Sequence, residues 1–390
     1  MSKRANGEGS ISKYKNGWRS RLMVGYDNNG KPIRKEFYGK TQKEVKKKLD
    51  EYKKLISNGI IPTNDKITLE EWFYTWLWDF RKRDLKEKSF QRYEGIYRNY
   101  ILNSDIGRVK LTDLNSSHIQ RYYNKLLDVD NKPTSTIKSL NTKLKTCLTE
   151  AEKQGYIQKN WCKLVTLPKD RNVKEIKVLT KEEQDLFVEA IKGHPLETLF
   201  LLALGTGLRL GELLGLKWQD INFVEKNLKV NRSLQRITEI TREGHRHSKI
   251  IEQTPKSKNS VRTIPLPDDV IKKLKLHKKL QNEYKLLSGS LYTDNDYVFT
   301  NEIGYPIDDK KPGRNLKSLL KKLNIEPIKF HALRHTYATR LFEVNVSPKI
   351  VQMLMGHYDI SITMDIYTHV MENQKVEAVE QLNQILKIGS

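Results

Sequence analysis

The run His331-Ala332-Leu333-Arg334-His335-Thr336-Tyr337-Ala338-Thr339 concentrates polar chemistry inside a helical pattern. His331 and Arg334 are three residues apart, so on a helix they share one face. Aimed together, an imidazole and a guanidinium supply several donors to one phosphate group. His331 and His335 also have the four-residue spacing of a zinc-binding helix, but the glutamate of that motif and an obvious third ligand are missing.

Two further clusters flank this run. Upstream, Gly205-Thr206-Gly207-Leu208-Arg209-Leu210-Gly211-Glu212 ends an apolar helix at a glycine corner and begins another near Arg209. An arginine at such a start has a fixed aim, and the helix N-terminus adds positive potential for an anion. Glu212 is placed to hold the guanidinium or a nearby backbone group. Downstream come Leu354-Met355-Gly356-His357 and then Tyr367-Thr368-His369, with Ser361 and Thr363 between them. A tyrosine is only about a thousandth ionised at pH 7, so Tyr367 as a nucleophile needs an electropositive site.

The composition points the same way. The 390 residues carry a formal net charge of +24. It is spread as +10 over residues 1–60, +6 over 61–170 and +8 over 171–390. Charge distributed along the whole chain suits a long polyanion such as nucleic acid, touched by every segment. The apolar stretch around Leu199–Leu204 is far short of the ~20 residues of a bilayer span, and the N-terminal residues lack the apolar run of a secretory signal. No membrane partner is expected. Two cysteines, Cys147 and Cys162, provide no disulfide framework and suit a reducing, cytoplasmic compartment.

Three segments are predicted. Over residues 1–60, strands at 9–14, 18–26 and 31–38 precede a helix opened by Thr41 and Glu44. The alternation places Trp18, Ser20, Leu22, Val24 and Tyr26 on one face and Arg19 and Arg21 on the other. Val45, Leu49, Tyr52 and Ile56 line the helix side that covers the apolar face. The basic face, with Lys13, Arg19, Arg21, Arg34 and Lys35 as candidate DNA contacts, suits a sheet that enters the major groove. Residues 66–165 read as all helical. Thr68 and Glu71 form a capping box, the aromatics Trp72, Phe73, Trp76, Trp78 and Phe80 serve as core, and helices follow at 87–100, 116–128 and 134–155. Beyond a charged linker near 167–174, residues 175–390 are mixed α and β. A final helix is expected over 370–388, with Val376, Val379, Leu382 and Ile385 on one side.

Taken in order, Arg209, a lysine in Thr254-Pro255-Lys256-Ser257-Lys258, His331, Arg334, His357 and Tyr367 resemble the catalytic signature of the tyrosine recombinases, the phage integrase family. The resemblance implies a multidomain α+β protein: a small three-stranded sheet plus helix as arm-binding domain, an all-α SAM-like core-binding domain, and a mixed α/β catalytic domain. The first segment is similar to the arm-binding domain in integrases of conjugative transposons and Gram-positive phages.

The roles implied are these. Arg209 and Arg334 clamp the phosphate, and Tyr367 attacks to give a 3′-phosphotyrosyl link that conserves the phosphodiester energy. His331 takes or relays the tyrosine proton, and His357 adds a hydrogen bond. Lys256, in a hairpin, protonates the leaving 5′-oxygen, with Lys258 as the alternative. Arg262, in the returning strand, is expected as a phosphate contact or structural residue, and Glu212 as structural support. No metal or other cofactor is implied. The implied partners are double-stranded DNA at core and arm sites, three further copies in a tetramer, an excisionase and a host DNA-bending protein, all in a bacterial host. The late helix is expected to link subunits. Rival readings are a type IB topoisomerase, a DNA-binding regulator without enzymatic activity, and a zinc-dependent nuclease.

Overall fold

The computed structural model describes residues 9–26, 31–57, 67–169, 177–254 and 261–367. The chain divides into two compact units, Met1–Asn172 with Ile240–His245, and Val173–Glu239 with Arg246–Ser390. The first unit holds two apolar clusters, one in the small sheet and one among helices. The expected turn at Asp27–Gly30, the linkers at 60–65 and 170–174, Lys256, Lys258 and the final helix lie outside the described residues.

In the first unit, β1 (Ser10–Tyr14), β2 (Gly17–Tyr26) and β3 (Pro32–Gly39) form an antiparallel sheet in the order β1-β2-β3. Helix α1 (Gln42–Ser57) covers it, with Val45, Leu49 and Tyr52 buried alongside Leu22. The Tyr52 ring meets Phe37 edge-on at 5.0 Å. Arg21 stands opposite Glu36, and Arg19 opposite Tyr38. The uncovered face therefore carries Arg19, Arg21 and Arg34 with Tyr14, Glu36 and Tyr38, because cross-strand partners share a face.

Two lysines depart from the expectation. Lys35 pairs with Leu22, and Lys13 with Trp18, in the sheet register. Both stand on the helix-covered side, where Lys35 Nζ lies 5.7 Å from the Tyr52 ring centre and Lys13 Nζ lies 6.0 Å from that of Trp18. For Lys35, a register counted from the Tyr26–Pro32 pair fails because β2 bulges between Met23 and Gly25 and shifts the pairing, whereas Lys13 is placed by its pairing with Trp18 in the regular β1–β2 register.

The helical part comprises α2 (Leu69–Thr75), α3 (Glu87–Ile96), α4 (Ser116–Asp128) and α5 (Thr134–Lys153). Thr68 and Glu71 close the capping box. Trp72, Phe73 and Trp76 are buried, whereas Phe80 stays 37% exposed. The aromatic helix does not continue as α: residues Trp76–Arg81 are π-helical, as are Tyr97–Ile101 after α3. A π turn inserts a residue, so α periodicity drawn through it assigns the wrong face. Trp72 Nε1 donates to the Cys147 carbonyl at 3.3 Å, giving the indole a polar partner inside the core. Cys147 and Cys162 are both buried and free. Ile240 packs in the same core, and Arg242 pairs with Asp79 at 2.8 Å.

The second unit is built around α7 (Glu197–Thr206), whose Leu199, Phe200, Leu202 and Ala203 are all buried. A helix apolar on every side belongs in a core. Around it lie α6 (Lys181–Ala190), the short α8 (Leu210–Leu214), α9 (Asp268–Ser288), α10 (Lys311–Lys322), α11 (His331–Glu343) and α12 (Pro348–Met355). Strands β4 (Ile221–Asn222), β5 (Asn227–Val230) and β8 (Arg262–Pro265) form one sheet, and β6 (Ser233–Ile240) with β7 (Arg246–Gln253) forms another. The hairpin expected around the candidate lysines is thus revised. β7 and β8, which flank them, pair with β6 and β5 rather than with each other. Among the described residues no helix is long and apolar enough to cross a membrane.

Candidate active site

Helix α7 ends at Gly207, which adopts the left-handed conformation at φ 60°. A Cβ there would lie 2.4 Å from Cδ1 of Tyr337, so only glycine fits this corner. The chain then turns directly into Arg209, the residue preceding α8. Glu212 performs both of the jobs foreseen for it. Its Oε2 accepts from the Arg209 backbone N–H at 2.9 Å, and its Oε1 accepts from Arg209 Nη1 at 2.8 Å. Burial by itself raises the Glu212 carboxyl, but Arg262 and Arg209 outweigh it and hold the group below its ordinary range.

Arg334 lies one turn into α11 and is 2% exposed. Its Nη1 donates to the Gly207 carbonyl at 2.6 Å, and its Nη2 donates to the Met355 carbonyl. Arg209 Nη2 reaches the next carbonyl along, that of Gly356, at 3.4 Å. Two arginines 125 positions apart in sequence therefore converge on neighbouring peptide groups at the end of α12. Burial first, then the Arg209 charge, pulls Arg334 down to about 9, which still leaves it cationic at neutral pH. Its Nε and the Nδ1 of His335 are buried without a hydrogen-bond partner among the described residues. Such orphans in a well-packed region call for an explanation beyond stability.

Gly356 caps α12 in the left-handed conformation at φ 62° and passes the chain to His357. His357 is buried, and its Nδ1 lies 2.9 Å from Thr363 Oγ1. Desolvation, reinforced by Arg334 and Arg209, pushes the imidazole down to about 3, so it is neutral at pH 7. His331 opens α11 on the exposed side, and burial with the Arg334 and Arg209 charges lowers it too. Its ring stands perpendicular to that of His335 at 4.8 Å. Among the described residues no three or more His, Cys, Asp or Glu side chains form a group able to hold a metal.

Residues 360–367 are helical and carry Tyr367 at their end. The Tyr367 ring packs against Phe342 of α11 with centroids 4.8 Å apart, in a cluster with Ala338, Met355 and Ile366. Among the described residues its hydroxyl has no hydrogen-bond partner. The phenol is thus seated on the helix that presents His331 and Arg334.

Of the two roles expected for Arg262, the geometry fits the structural one. Its Nη2 and Nη1 donate to Glu212 at 2.9 and 3.3 Å and its Nε donates to the Leu354 carbonyl at 2.7 Å, so every nitrogen of the guanidinium is engaged within the protein. Sequence reasoning also missed Thr363 as the partner of His357, having noted it only within a hydroxyl-rich run. The carbonyls of Gly207, Met355 and Gly356 were invisible to it because backbone groups carry no sequence signature.

Residues 177–374 match the phage integrase family, and residues 68–127 match the N-terminal SAM-like domain of phage integrases. The chain belongs to the phage integrase family and is a tyrosine recombinase, an enzyme that breaks and rejoins DNA strands at specific sites. It is 46% identical to a "Tyrosine recombinase XerC-like" protein of Caldanaerobacter subterraneus subsp. tengcongensis, over 99% of this chain and 100% of the relative. It is 25% identical to the ICEBs1 integrase of Bacillus subtilis, over 74% of each. Its fold is similar to that of the Tn1549 transposon integrase solved with transposon right end DNA, at TM-score 0.66 and 22% identity, covering 81% of this chain and 99% of that one. It is also similar to the lambda integrase solved as a tetramer on a Holliday junction, at TM-score 0.56 and 20% identity, covering 90% and 95%. These matches do not favour the topoisomerase or regulator readings.

Proposed function

We propose that Arg209, Arg334 and His357 hold the scissile phosphate of a DNA strand while Tyr367 attacks its phosphorus, and that the enzyme integrates and excises a mobile element in this way. The observation that carries this reading is the charge imbalance of the site. Two guanidiniums, from Arg209 and Arg262, share the single carboxylate of Glu212, and a third, from Arg334, converges with Arg209 on neighbouring carbonyls at the end of α12. Preorganised positive charge in a desolvated place stabilises the negative charge that builds in phosphoryl transfer. In the step itself, the bond from the Tyr367 oxygen to phosphorus forms and the bond to the 5′-oxygen breaks. The phenol proton passes to His331, whose lowered pKa keeps it an acceptor at neutral pH. Lys256 returns a proton to the 5′-oxygen, with Lys258 as the alternative. A neutral His357, with Nδ1 engaged by Thr363, has Nε2 left to donate to a phosphate oxygen.

Strand exchange then requires a second duplex. We assign the working form to a homotetramer on a four-way junction, as in the lambda integrase tetramer on a Holliday junction. The sheet face bearing Arg19, Arg21 and Arg34 is assigned to arm sites, the helices of 66–165 to core sites, and the residues after 367 to subunit linkage. An excisionase and a host DNA-bending protein complete the proposed assembly. It works in a bacterial cytoplasm, where Cys147 and Cys162 stay reduced.

A nicked suicide duplex carrying the element's end tests the reading. The full chain is expected to form a covalent adduct whose DNA-bearing peptide contains Tyr367, and Tyr367→Phe is expected to bind the duplex without forming it. An adduct that persists in Tyr367→Phe refutes the proposal.

A further inference from the structure

We infer that Arg262 is a positioning residue for strand cleavage, which orients Arg209 and His357 through Glu212 and the α12 terminus. The inference rests on the reading above, in which those two side chains hold the phosphate.

The geometry is specific. Arg262 stands on β8, and its Nη2 and Nη1 donate to the two carboxylate oxygens of Glu212 at 2.9 and 3.3 Å. Its Nε donates to the Leu354 carbonyl at 2.7 Å. The guanidinium thus spans from the start of α8 to the last turn of α12. A carboxylate offers about four acceptor sites. Glu212 fills them with the Arg209 N–H, Arg209 Nη1 and the two Arg262 nitrogens. Whatever moves one set of donors moves the other.

The packing closes the arrangement from the far side. A Cβ on Gly356 would lie 3.0 Å from Cδ and Nη1 of Arg262. The residue before His357 is therefore in direct contact with this guanidinium, and the Gly356 carbonyl is the one Arg209 reaches. Arg262 and Glu212 are 6% and 7% exposed, so solvent does not substitute for a lost partner. The fork matters as much as the charge. An ammonium is a point donor and cannot serve two carboxylate oxygens and the Leu354 carbonyl together.

A side chain that only stabilised the fold would lower the unfolding midpoint and leave the chemistry of the folded fraction alone. A positioning residue lowers the rate of the chemical step itself, since about an ångström of misplacement costs roughly 100-fold. Arg262→Lys and Arg262→Gln are measured in the full chain for duplex affinity, unfolding midpoint and single-turnover cleavage of the nicked suicide duplex. Duplex affinity is expected to stay unchanged, because the Arg262 guanidinium is spent on Glu212 and the Leu354 carbonyl. Cleavage is expected to fall about 100-fold in Arg262→Gln and less in Arg262→Lys. Glu212→Gln with Arg262→Met removes both charges and spares the fold a lone buried ion. If Arg262 acts in part through Glu212, this double variant loses less than the product of the losses of Glu212→Gln and of the Arg262 single variants.

Cleavage at the unaltered rate in Arg262→Lys or Arg262→Gln, or losses that multiply in the double variant, overturns the inference while leaving the phosphate-clamp reading standing. Failure of the unaltered chain to form a Tyr367 adduct overturns that reading instead, and this inference with it.

Discussion

Replacing Thr363 by valine removes one oxygen and almost no volume, at a position that is fully buried. The hydroxyl lies 2.9 Å from His357 Nδ1, and the imidazole is itself buried. Two effects follow. The lost hydrogen bond and the stranded ring nitrogen together cost about 1–3 kcal/mol of stability. More consequential is the choice of tautomer. With the hydroxyl donating to Nδ1, the proton of the neutral ring sits on Nε2, ready to donate to a phosphate oxygen. Without that donor the preference is lost, and each 1.4 kcal/mol of preference is about a factor of ten in the population of the productive form.

Thr363→Val is therefore expected to slow single-turnover cleavage by about ten- to a hundredfold at unchanged duplex affinity. Thr363→Ser, which keeps the hydroxyl, should recover most of the rate. Nitrogen NMR of a histidine-labelled chain reads the tautomer directly, and the unaltered protein should show His357 protonated on Nε2. Normal cleavage by Thr363→Val, or an Nδ1-protonated ring in the unaltered protein, would refute the reasoning.

Further predictions concern other parts of the molecule. His357 drops to about 3 on folding, so between that value and its ordinary 6.5 the unfolded chain binds the extra proton and stability falls with falling pH. From about pH 7.5 to about pH 5.5 this one group removes roughly 1.4 kcal/mol, and denaturant unfolding at the two pH values should show a correspondingly smaller drop in His357→Gln. Gly207→Ala puts a methyl 2.4 Å from the Tyr337 ring at a φ of 60°. It should cost at least about 1–2 kcal/mol in unfolding free energy and shift Arg334, which shares the Gly207 carbonyl, so that cleavage drops as well. On the small sheet, Arg19→Ala with Arg21→Ala should flatten the salt dependence of binding to a random duplex by up to about two units of slope, whereas Lys35→Ala, on the covered face, should leave it unchanged.

The sequence alone brought forward the residues proposed to carry the chemistry, because the proposed phosphate clamp and nucleophile are side chains in short runs with their own spacing. Glu212, three residues beyond Arg209, was readable as its partner for the same reason. It also determined the helical segments wherever periodicity was strong and capped, as at Thr68, which closes a capping box with Glu71. Tertiary structure decided what depends on pairing and burial. Strand register decided that Lys13 and Lys35 stand on the covered face, Lys13 through its pairing with Trp18 and Lys35 through the bulge in β2. Strand partnership decided that β8 joins β5, the strand whose end brings Arg262 against Glu212. Packing decided that Thr363 meets His357 and that three backbone carbonyls receive the arginines. Local spacing fixes which side chains share a face of one element. Which of them meets a partner dozens of residues away is set by how the elements bury one another.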